Sequence, residues 1–309
     1  MKKYIKIMRI DHWVKNLFVL PGCAFAYLLT KTPIDSKVIV TFILAMIATC
    51  LIASANYVIN EWLDAAFDQY HPIKKHRTVV EQGVNKTIVY VLYAALTVIG
   101  LGVAFLASKM IFQMELWLWV MGILYNVKPF RTKDIVILDV LSESVNNAIR
   151  LMIGWFVITG AFLPPVSVVF GYWMGGAFLM DVKRFSEYRM INDPETASLY
   201  RKSFKHYSEK LLLCMALFYA IGSSLFVGIF LVKYRVEFIL LTPFLGGLFC
   251  HYLSIAFKHD SAAQAPEKLY REKGLMAYVA VLIIVFIILL ELDVPTLHNL
   301  LSNELVPIT

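Results

Sequence analysis

Long apolar runs alternate with charged segments along the whole chain. A helix that spans a membrane needs about 20 mostly apolar residues, and nine stretches meet or approach this length. The pattern therefore predicts an all-α fold, a polytopic membrane helix bundle with about nine transmembrane helices. We place the spans at residues 16–30, 38–59, 87–108, 111–126, 135–158, 165–182, 211–232, 237–257 and 275–292.

The positive charges between the spans predict an orientation. Of the lysine and arginine residues, 23 fall in segments on one side of the predicted membrane and 5 on the other, while Arg150 lies inside a span. Cytoplasmic loops carry the excess of such residues. We therefore expect a multi-pass protein of the cell inner membrane, with a cytoplasmic N-terminus and its polar face in the cytoplasm. Residues 1–15 form a basic amphipathic segment without the features of a cleaved signal peptide.

Composition excludes an ordinary soluble protein. Apolar residues make up 59% of the chain, charged residues 17%, and the mean hydropathy is +0.68. Soluble domains carry about 25% charged residues. No polar linker divides the chain, so we expect one domain over residues 1–309. Topology accounts for most of the net charge of +7, and we expect the lipid bilayer rather than nucleic acid as the partner.

Acidic side chains recur at helical spacing after the second span. Asn60, Asp64 and Asp68 are four residues apart, so a helix that continues from the span places them on one face. Carboxylate and amide oxygens are the ligands that Mg²⁺ prefers. The alternative is an exposed helix end in water, but carboxylates one turn apart repel each other and gain nothing without a cation.

Basic side chains follow these acids closely, as His71, Lys74 and Arg77. A second segment with both signs of charge joins the fourth and fifth spans and contains Lys128 and Lys133. Cations beside carboxylates that hold a metal favour the binding of a diphosphate, because metal and cations share the negative charge. The two segments therefore predict a diphosphate site at the cytoplasmic face.

Polar residues also enter the fifth span on one helix face. Asp139, Glu143, Asn146, Asn147 and Arg150 are spaced for such a face. Ionisable residues inside a span are costly and usually functional. They predict the wall of a cavity; the alternative is an internal ion pair between Glu143 and Arg150. The sixth span ends in two further cations, Lys183 and Arg184.

With these motifs in view, the chain resembles the UbiA superfamily of intramembrane prenyltransferases over nearly its whole length. Within it, the sequence is most similar to the decaprenyl-phosphate phosphoribosyltransferase subgroup. The matching residues are Arg9, Trp13, Lys15 and Asn16, then Asn60, Asp64, Asp68, His71, Lys74 and Arg77, then Tyr125, Lys133, Asp139 and Arg150, and finally Lys183, Arg184, Glu187, Arg201, Lys202 and Ser203. Glu61, Glu143, Asn146 and Asn147 depart from the subgroup pattern, the last three by replacing small or apolar residues.

The resemblance implies a nine-helix bundle around a central cavity open to the cytoplasmic side, and Mg²⁺ as cofactor. The implied metal ligands are Asn60, Asp64, Asp68 and Asp139, and the implied catalytic residues are Asp64, Asp68, Asp139, Lys133 and Tyr125. The expected diphosphate and substrate contacts are Lys15, Asn16, His71, Lys74, Arg77, Lys128, Glu143, Asn147, Arg150, Lys183 and Arg184.

Three reactions are compatible with this site. In the favoured one, phosphoribosyl diphosphate is the donor and a polyprenyl phosphate the acceptor. In the second, a polyprenyl diphosphate donates its isoprenyl group to an aromatic or other small acceptor. The third is terpene cyclisation without an external acceptor.

Two non-enzymatic functions are disfavoured. A transporter for an anion or a lipid phosphate would need polar residues through several spans, whereas only the fifth span is clearly penetrated. A purely structural role leaves the spaced carboxylates unexplained.

Overall fold

The computed structural model describes residues 2–234, 236–258, 261–264 and 266–300. Their regular structure is helical throughout, without a strand in these ranges. The α-helices are α1 (Lys2–Ile7), α2 (Leu20–Thr30), α3 (Ser36–Asp68), α4 (Thr78–Gln82), α5 (Lys86–Ala107), α6 (Lys109–Asn126), α7 (Leu138–Ile158), α8 (Val166–Ile191), α9 (Pro194–Tyr200), α10 (Glu209–Tyr234), α11 (Thr242–Ala256), α12 (Lys273–Glu291) and α13 (Pro295–Leu300). Short 3₁₀ helices occupy Ile10–Val19, Lys74–His76, Thr132–Asp134, Lys202–Lys205, Val236–Leu241, Ala262–Gln264 and Pro266–Arg271.

Several helices meet the requirements for crossing a bilayer. Within the described chain, six stretches are long and apolar enough: Lys2–Thr30, Ser36–Asp68, Lys86–Ala107, Glu209–Tyr234, Val236–Ala256 and Lys273–Glu291. The other predicted spans correspond to the more polar helices α6, α7 and α8. The chain is therefore a helical membrane protein, and the count of nine spans stays a prediction.

Large apolar side chains cover the outside of the bundle. Leu106 is 74% exposed and Val98 is 71% exposed, both on α5. A water-facing surface would not place such side chains side by side over a whole helix. These faces are suited to contact with lipid, and the polar residues are turned inward.

Helix α7 lies at the centre and contacts α2, α3, α6 and α8. Two glycines allow its closest approach to α2. A Cβ atom at Gly22 would lie 1.9 Å from the carbonyl oxygen of Leu151, and one at Gly154 would lie 1.9 Å from that of Val19. Small residues let helix backbones come this close in membranes. The contact fixes α2 against the helix that carries the polar stripe.

The N-terminal segment is anchored along α3 by three polar contacts. Arg9 donates to the buried carboxylate of Glu61 at 2.9 Å. Trp13 donates to Ser54 at 2.9 Å, and Asn16 donates to Cys50 at 3.2 Å. Glu61 therefore holds the segment that carries Lys15 over the inner end of α3.

The α3 and α8 helices extend past the apolar runs that predicted them. Helix α3 continues to Asp68, which confirms that Asn60, Asp64 and Asp68 share one helix, and α8 continues to Ile191. Both extensions carry charged residues toward the same end of the bundle.

Candidate active site

A cavity of about 930 Å³ opens at this end of the bundle. Its walls come from the N-terminal segment, the inner ends of α3, α6, α7 and α8, and the loops near residues 71–78, 131–134, 200–201, 261–264 and 271–272. These stretches are the ones that the charge pattern assigned to one side of the membrane. The sequence therefore predicted correctly which segments meet.

Charged groups dominate the lining. Among the described residues it includes eleven lysine and arginine side chains and eight aspartate and glutamate side chains. The aliphatic side chains of this lining are Ile73 and Ala262, and Phe67 is its one phenylalanine. An excess of cations over carboxylates suits an anionic ligand.

The α3 carboxylates line the cavity, and the chain's own cations hold them. Asp64 accepts hydrogen bonds from Arg131, at 2.9 Å, and from Lys133. Asp68 accepts from Arg77 at 2.5 Å. Asn60 donates to Asp64 at 3.1 Å. Helical spacing thus places these three oxygen-bearing side chains on the face of α3 that lines the cavity, as predicted.

Asn126, at the end of α6, connects the two charged segments. Its side-chain oxygen accepts from Asn60 at 2.6 Å and from Lys133 at 2.8 Å. Its main-chain carbonyl accepts from Arg131 at 3.1 Å. The amide therefore fixes where the Lys133 ammonium lies relative to α3.

The loop after α3 reaches across the cavity mouth. Lys74 donates to Glu187 of α8 at 2.6 Å and to the hydroxyl of Tyr200. The ring of His71 packs edge-on against Tyr200, with centroids 4.5 Å apart. Burial lowers the pKa of Lys74 to about 8, although the Glu187 carboxylate opposes the shift.

His71 is buried and neutral, and it points a donor at the site. Burial, reinforced by Lys74, lowers the pKa of His71 to about 3. Its Nδ1 accepts from the main-chain N–H groups of Ile73 and Lys74, at 3.1 and 3.2 Å. The proton therefore resides on Nε2, which has no hydrogen-bond partner among the described residues although the ring lines the cavity.

Arg184 organises the wall formed by α7 and α8. It donates to Glu143, to Glu187 at 3.1 Å, to Asp139 at 3.3 Å and to the hydroxyl of Tyr125 at 3.1 Å. The Tyr125 hydroxyl in turn donates to Glu143 at 2.8 Å.

Three further predicted residues belong to this wall or to the cavity mouth. Lys183 lies 4.0 Å from a Glu143 oxygen. Lys133 is 3% exposed, and burial lowers its pKa to about 8. Lys15 lines the cavity, with its ammonium 3.0 Å from Nδ1 of His12.

Asp139 lies behind the cavity wall rather than in it. It is fully buried in the first turn of α7, where that helix faces α8 and the loop after α9. Ser203 donates to its carboxylate at 3.1 Å, and Tyr207 also donates to it. The structure therefore does not bring Asp139 into the cavity with the α3 carboxylates.

Four other predicted contacts also lie outside the lining. Lys128 is exposed beyond the cavity. Asn16 is buried and accepts from Arg150 at 3.0 Å, and Asn147 accepts from Arg150 at 3.5 Å. Within the described chain Arg150 has no ion pair, so it is not paired with Glu143, which binds Arg184 instead.

The donor chemistry of α3 fits a magnesium ion. Asn60, Asp64 and Asp68 offer hard oxygen atoms one helical turn apart. Within the described residues, however, no three side chains of His, Cys, Asp or Glu are arranged around a common point as a metal would require. The site therefore has side chains suited to bind the metal, but its carboxylates form ion pairs with lysine and arginine.

Some site residues were not assigned a role from the sequence. Arg131, Asn126, Glu187, Tyr200 and Arg201 all line the cavity. Glu187 follows Lys183 by four residues, so helical spacing could have placed both on one face of α8. For Asn126, no sequence signal distinguishes it from an ordinary helix end.

Comparison with known proteins decides the family. The sequence model of the UbiA prenyltransferase family matches residues 18–279. The chain belongs to this family. The UbiA fold is also found in solved structures: a UbiA homologue from Archaeoglobus fulgidus, bound to GPP and Mg²⁺, superposes with a TM-score of 0.68 at 16% identity, covering 91% of this chain and 99% of that one. An apo UbiA homologue from Aeropyrum pernix gives a TM-score of 0.64 at 16% identity, covering 90% and 99%.

Curated UbiA-like relatives include decaprenyl-phosphate phosphoribosyltransferases. The protein from Corynebacterium glutamicum is 26% identical over 67% of this chain and 60% of its own length. That from Mycolicibacterium smegmatis is 27% identical over 67% of this chain and 63% of its own length. The chain therefore matches less than two thirds of these relatives. The nodulation protein NoeC of Azorhizobium caulinodans is 24% identical over 70% of this chain and 68% of its own length. The chain is thus a membrane-embedded member of the UbiA family.

Proposed function

We propose that this UbiA-family protein transfers a phosphoribosyl group from phosphoribosyl diphosphate to a polyprenyl phosphate, with Mg²⁺ as cofactor. The observation that carries the proposal is the lining of the cavity, in which eleven lysine and arginine side chains outnumber eight aspartate and glutamate side chains. Phosphoribosyl diphosphate carries phosphates at both ends of a polar sugar, so both ends can bind such cations.

The cations of the cavity bind the diphosphate in this proposal. Lys74, Arg77, Arg131 and Lys133 surround the space in front of α3, and the His71 Nε2–H adds an uncharged donor. Hydrogen bonds from the lysine and arginine cations to phosphate oxygens are about twice as strong as neutral hydrogen bonds. They hold the donor with its leaving group against α3.

In this proposal, catalysis comes from electrostatic stabilisation of the leaving group. The bond between the anomeric carbon and the diphosphate oxygen breaks, the diphosphate leaves, and an oxygen of the lipid phosphate forms the new bond to that carbon. Asn60, Asp64 and Asp68 would hold Mg²⁺, which supplies positive charge to the departing diphosphate when bound. Lys133 and Arg77 stabilise the same charge from the protein.

The residues behind the wall position those in front. Arg184 links Asp139 to Glu143, Glu187 and Tyr125. Asp139 therefore acts through Arg184 on the shape of the cavity, and Tyr125 keeps Glu143 turned toward it.

Prenyl transfer is the second candidate, because the solved homologue from Archaeoglobus fulgidus is bound to GPP, a prenyl diphosphate. A labelling experiment separates the two. Purified protein is incubated with Mg²⁺ and either labelled phosphoribosyl diphosphate plus polyprenyl phosphate, or labelled geranyl diphosphate plus aromatic acceptors. We expect label to enter the lipid only from phosphoribosyl diphosphate. If geranyl diphosphate were the only donor that gave labelled product, the proposal would be contradicted.

The α3 carboxylates provide the matching variants. Asp64→Asn and Asp68→Asn keep the size of the side chain but remove its charge, so we expect turnover to fall at least about 100-fold, the usual cost of losing one such electrostatic group. Glu195→Gln, at an exposed acid on α9, is the control and should retain turnover. Near-normal activity of both aspartate variants, in protein with unchanged circular dichroism, would remove α3 from the mechanism.

A further inference from the structure

Every α3 carboxylate that faces the cavity already holds a cation of the chain. Lys133 and Arg131 bind Asp64, and Arg77 binds Asp68. Across the cavity, Lys74 and Arg184 bind Glu187 in the same way. The residues best suited to a divalent ion and those best suited to a diphosphate thus neutralise each other in this state.

This pairing sets a condition on each ligand alone. A divalent ion must displace Lys133 or Arg77 and send that charge into a cavity that holds many other cations, where like charges repel. A diphosphate must separate the same cations from their carboxylates and leave these buried without a partner, which is also unfavourable. When both ligands bind together, the divalent ion takes the carboxylates that the cations have left. The diphosphate takes the cations that the divalent ion has displaced.

We propose that Lys133 and Arg77 are exchange residues, which occupy the α3 carboxylates in the empty protein and pass to the diphosphate when the metal takes their place. The proposal rests on the proposed function only in requiring a diphosphate ligand and a divalent ion. It makes the two bind with positive coupling, since each removes the competitor of the other.

The surroundings of Lys133 suit such an exchange. The ammonium already has a second acceptor in Asn126, at 2.8 Å, so it retains a partner when it leaves Asp64. A lysine has a flexible four-carbon stem and a charge that can rotate among acceptors. Arg131, by contrast, is also held by Asp134 at 3.1 Å and by the carbonyl of Asn126, which makes it the fixed cation of the pair.

An independent feature indicates that an anion completes the site. His71 is 2% exposed, and its Nε2–H donor has no partner among the described residues. A buried donor left unpaired costs free energy that a phosphate oxygen would recover.

Two probes measured separately test the exchange in detergent-purified protein. Binding of Mn²⁺ alone is followed by the electron paramagnetic resonance signal of the free ion. Binding of inorganic diphosphate alone is followed by calorimetry in the presence of a chelator. The variant is Lys133→Met, which keeps the length of the side chain, and the control is Lys205→Met, at an exposed lysine outside the cavity.

The two probes should respond in opposite directions. We expect Lys133→Met to bind Mn²⁺ roughly tenfold more tightly than the wild type and diphosphate roughly tenfold more weakly, within the 5–150-fold range of typical couplings. Lys205→Met should change neither. Weaker binding of both probes, or unchanged binding of Mn²⁺, would overturn the proposal.

A second variant covers the case in which Lys133→Met does not fold. Arg77→Gln frees Asp68 in the same way and should give the same opposite pair of changes. Because both probes omit the sugar and the lipid, these results are separate from the labelling experiment. A protein that transfers a group other than phosphoribosyl would still show the opposite changes in Mn²⁺ and diphosphate binding. A phosphoribosyltransferase that did not show these changes would lack the exchange.

Discussion

The charge of Lys74 depends on how deeply its ammonium is buried. The groups that face it are Glu187 of α8, Tyr200 of α9, Asp68 at the end of α3 and, on neighbouring loops, Arg77 and Arg201. Burial lowers its pKa from 10.5 to about 8. As the pH rises through 8, the folded protein therefore loses a positive charge from the cavity mouth.

Diphosphate affinity should fall over the same pH range. We expect a loss of about tenfold between pH 7 and pH 9, since a charge-assisted bond becomes a neutral one. Lys74→Arg stays charged at these pH values, so the ratio of its affinity to that of the wild type should rise with pH. Lys133 titrates in the same range, so the variant flattens the profile without removing the decline. A ratio that stays constant in calorimetric titrations would show that the Lys74 charge does not contribute.

Single residues differ in how far sequence alone could place them. Asn60, Asp64 and Asp68 were predictable, because the helix that carries them is fixed by local spacing. Asp139 was not, because its side-chain direction depends on Arg184 and Tyr207, which lie 45 and 68 residues away. Lys128 follows Asn126, which lines the cavity, by only two residues, yet Lys128 is exposed outside the cavity.

At the level of helices, the contact between α2 and α7 depends on two glycines. Gly154→Ala would place a methyl group against the carbonyl oxygen of Val19, where the backbone must move to accept it. Overpacking of this kind costs about 1–3 kcal/mol. We expect a lower thermal midpoint in detergent, measured by the loss of tryptophan fluorescence or of solubility.

Gly102→Ala is the matched control for that change. An added Cβ at Gly102 of α5 meets no atom within 4 Å, and alanine favours helix more than glycine does. Its midpoint should stay the same or rise slightly. Equal midpoints for the two alanine variants would mean that α2 and α7 are not in close contact.

Helix boundaries were less predictable than helix positions. The apolar runs located α3 and α8 but ended at residues 59 and 182, because hydropathy falls where the cavity begins while the helix continues to Asp68 and Ile191. The first span was predicted as one helix over 16–30. It is a 3₁₀ segment, Ile10–Val19, followed by α2, whose first turn contains Pro21. Proline has no N–H to donate and is favoured in the first turn of an α-helix.

Across the whole molecule, the segments rich in lysine and arginine gather at the end that contains the cavity. From this we predict that the N-terminus and the active site face the cytoplasm. In a background where the four native cysteines are replaced by alanine, Lys205→Cys and Lys109→Cys place single reporters in loops predicted on opposite sides. In intact cells, a maleimide that does not cross membranes should label position 109 and leave position 205 unlabelled until the cells are permeabilised. The reverse pattern would invert the proposed orientation.

The polar stripe of α7 also bears on how the chain enters the membrane during synthesis. A charged residue at the middle of an inserting helix costs about 2.5–3.5 kcal/mol on insertion scales. In α7, Arg150 lies near the middle and Glu143 lies nearer the first turn. The amide of Asn16 that receives Arg150 and the tyrosine hydroxyl of Tyr125 that binds Glu143 both precede α7 in the chain. The ribosome therefore delivers these partners before the helix that needs them, whereas Arg184, the cation for Glu143, emerges only afterwards.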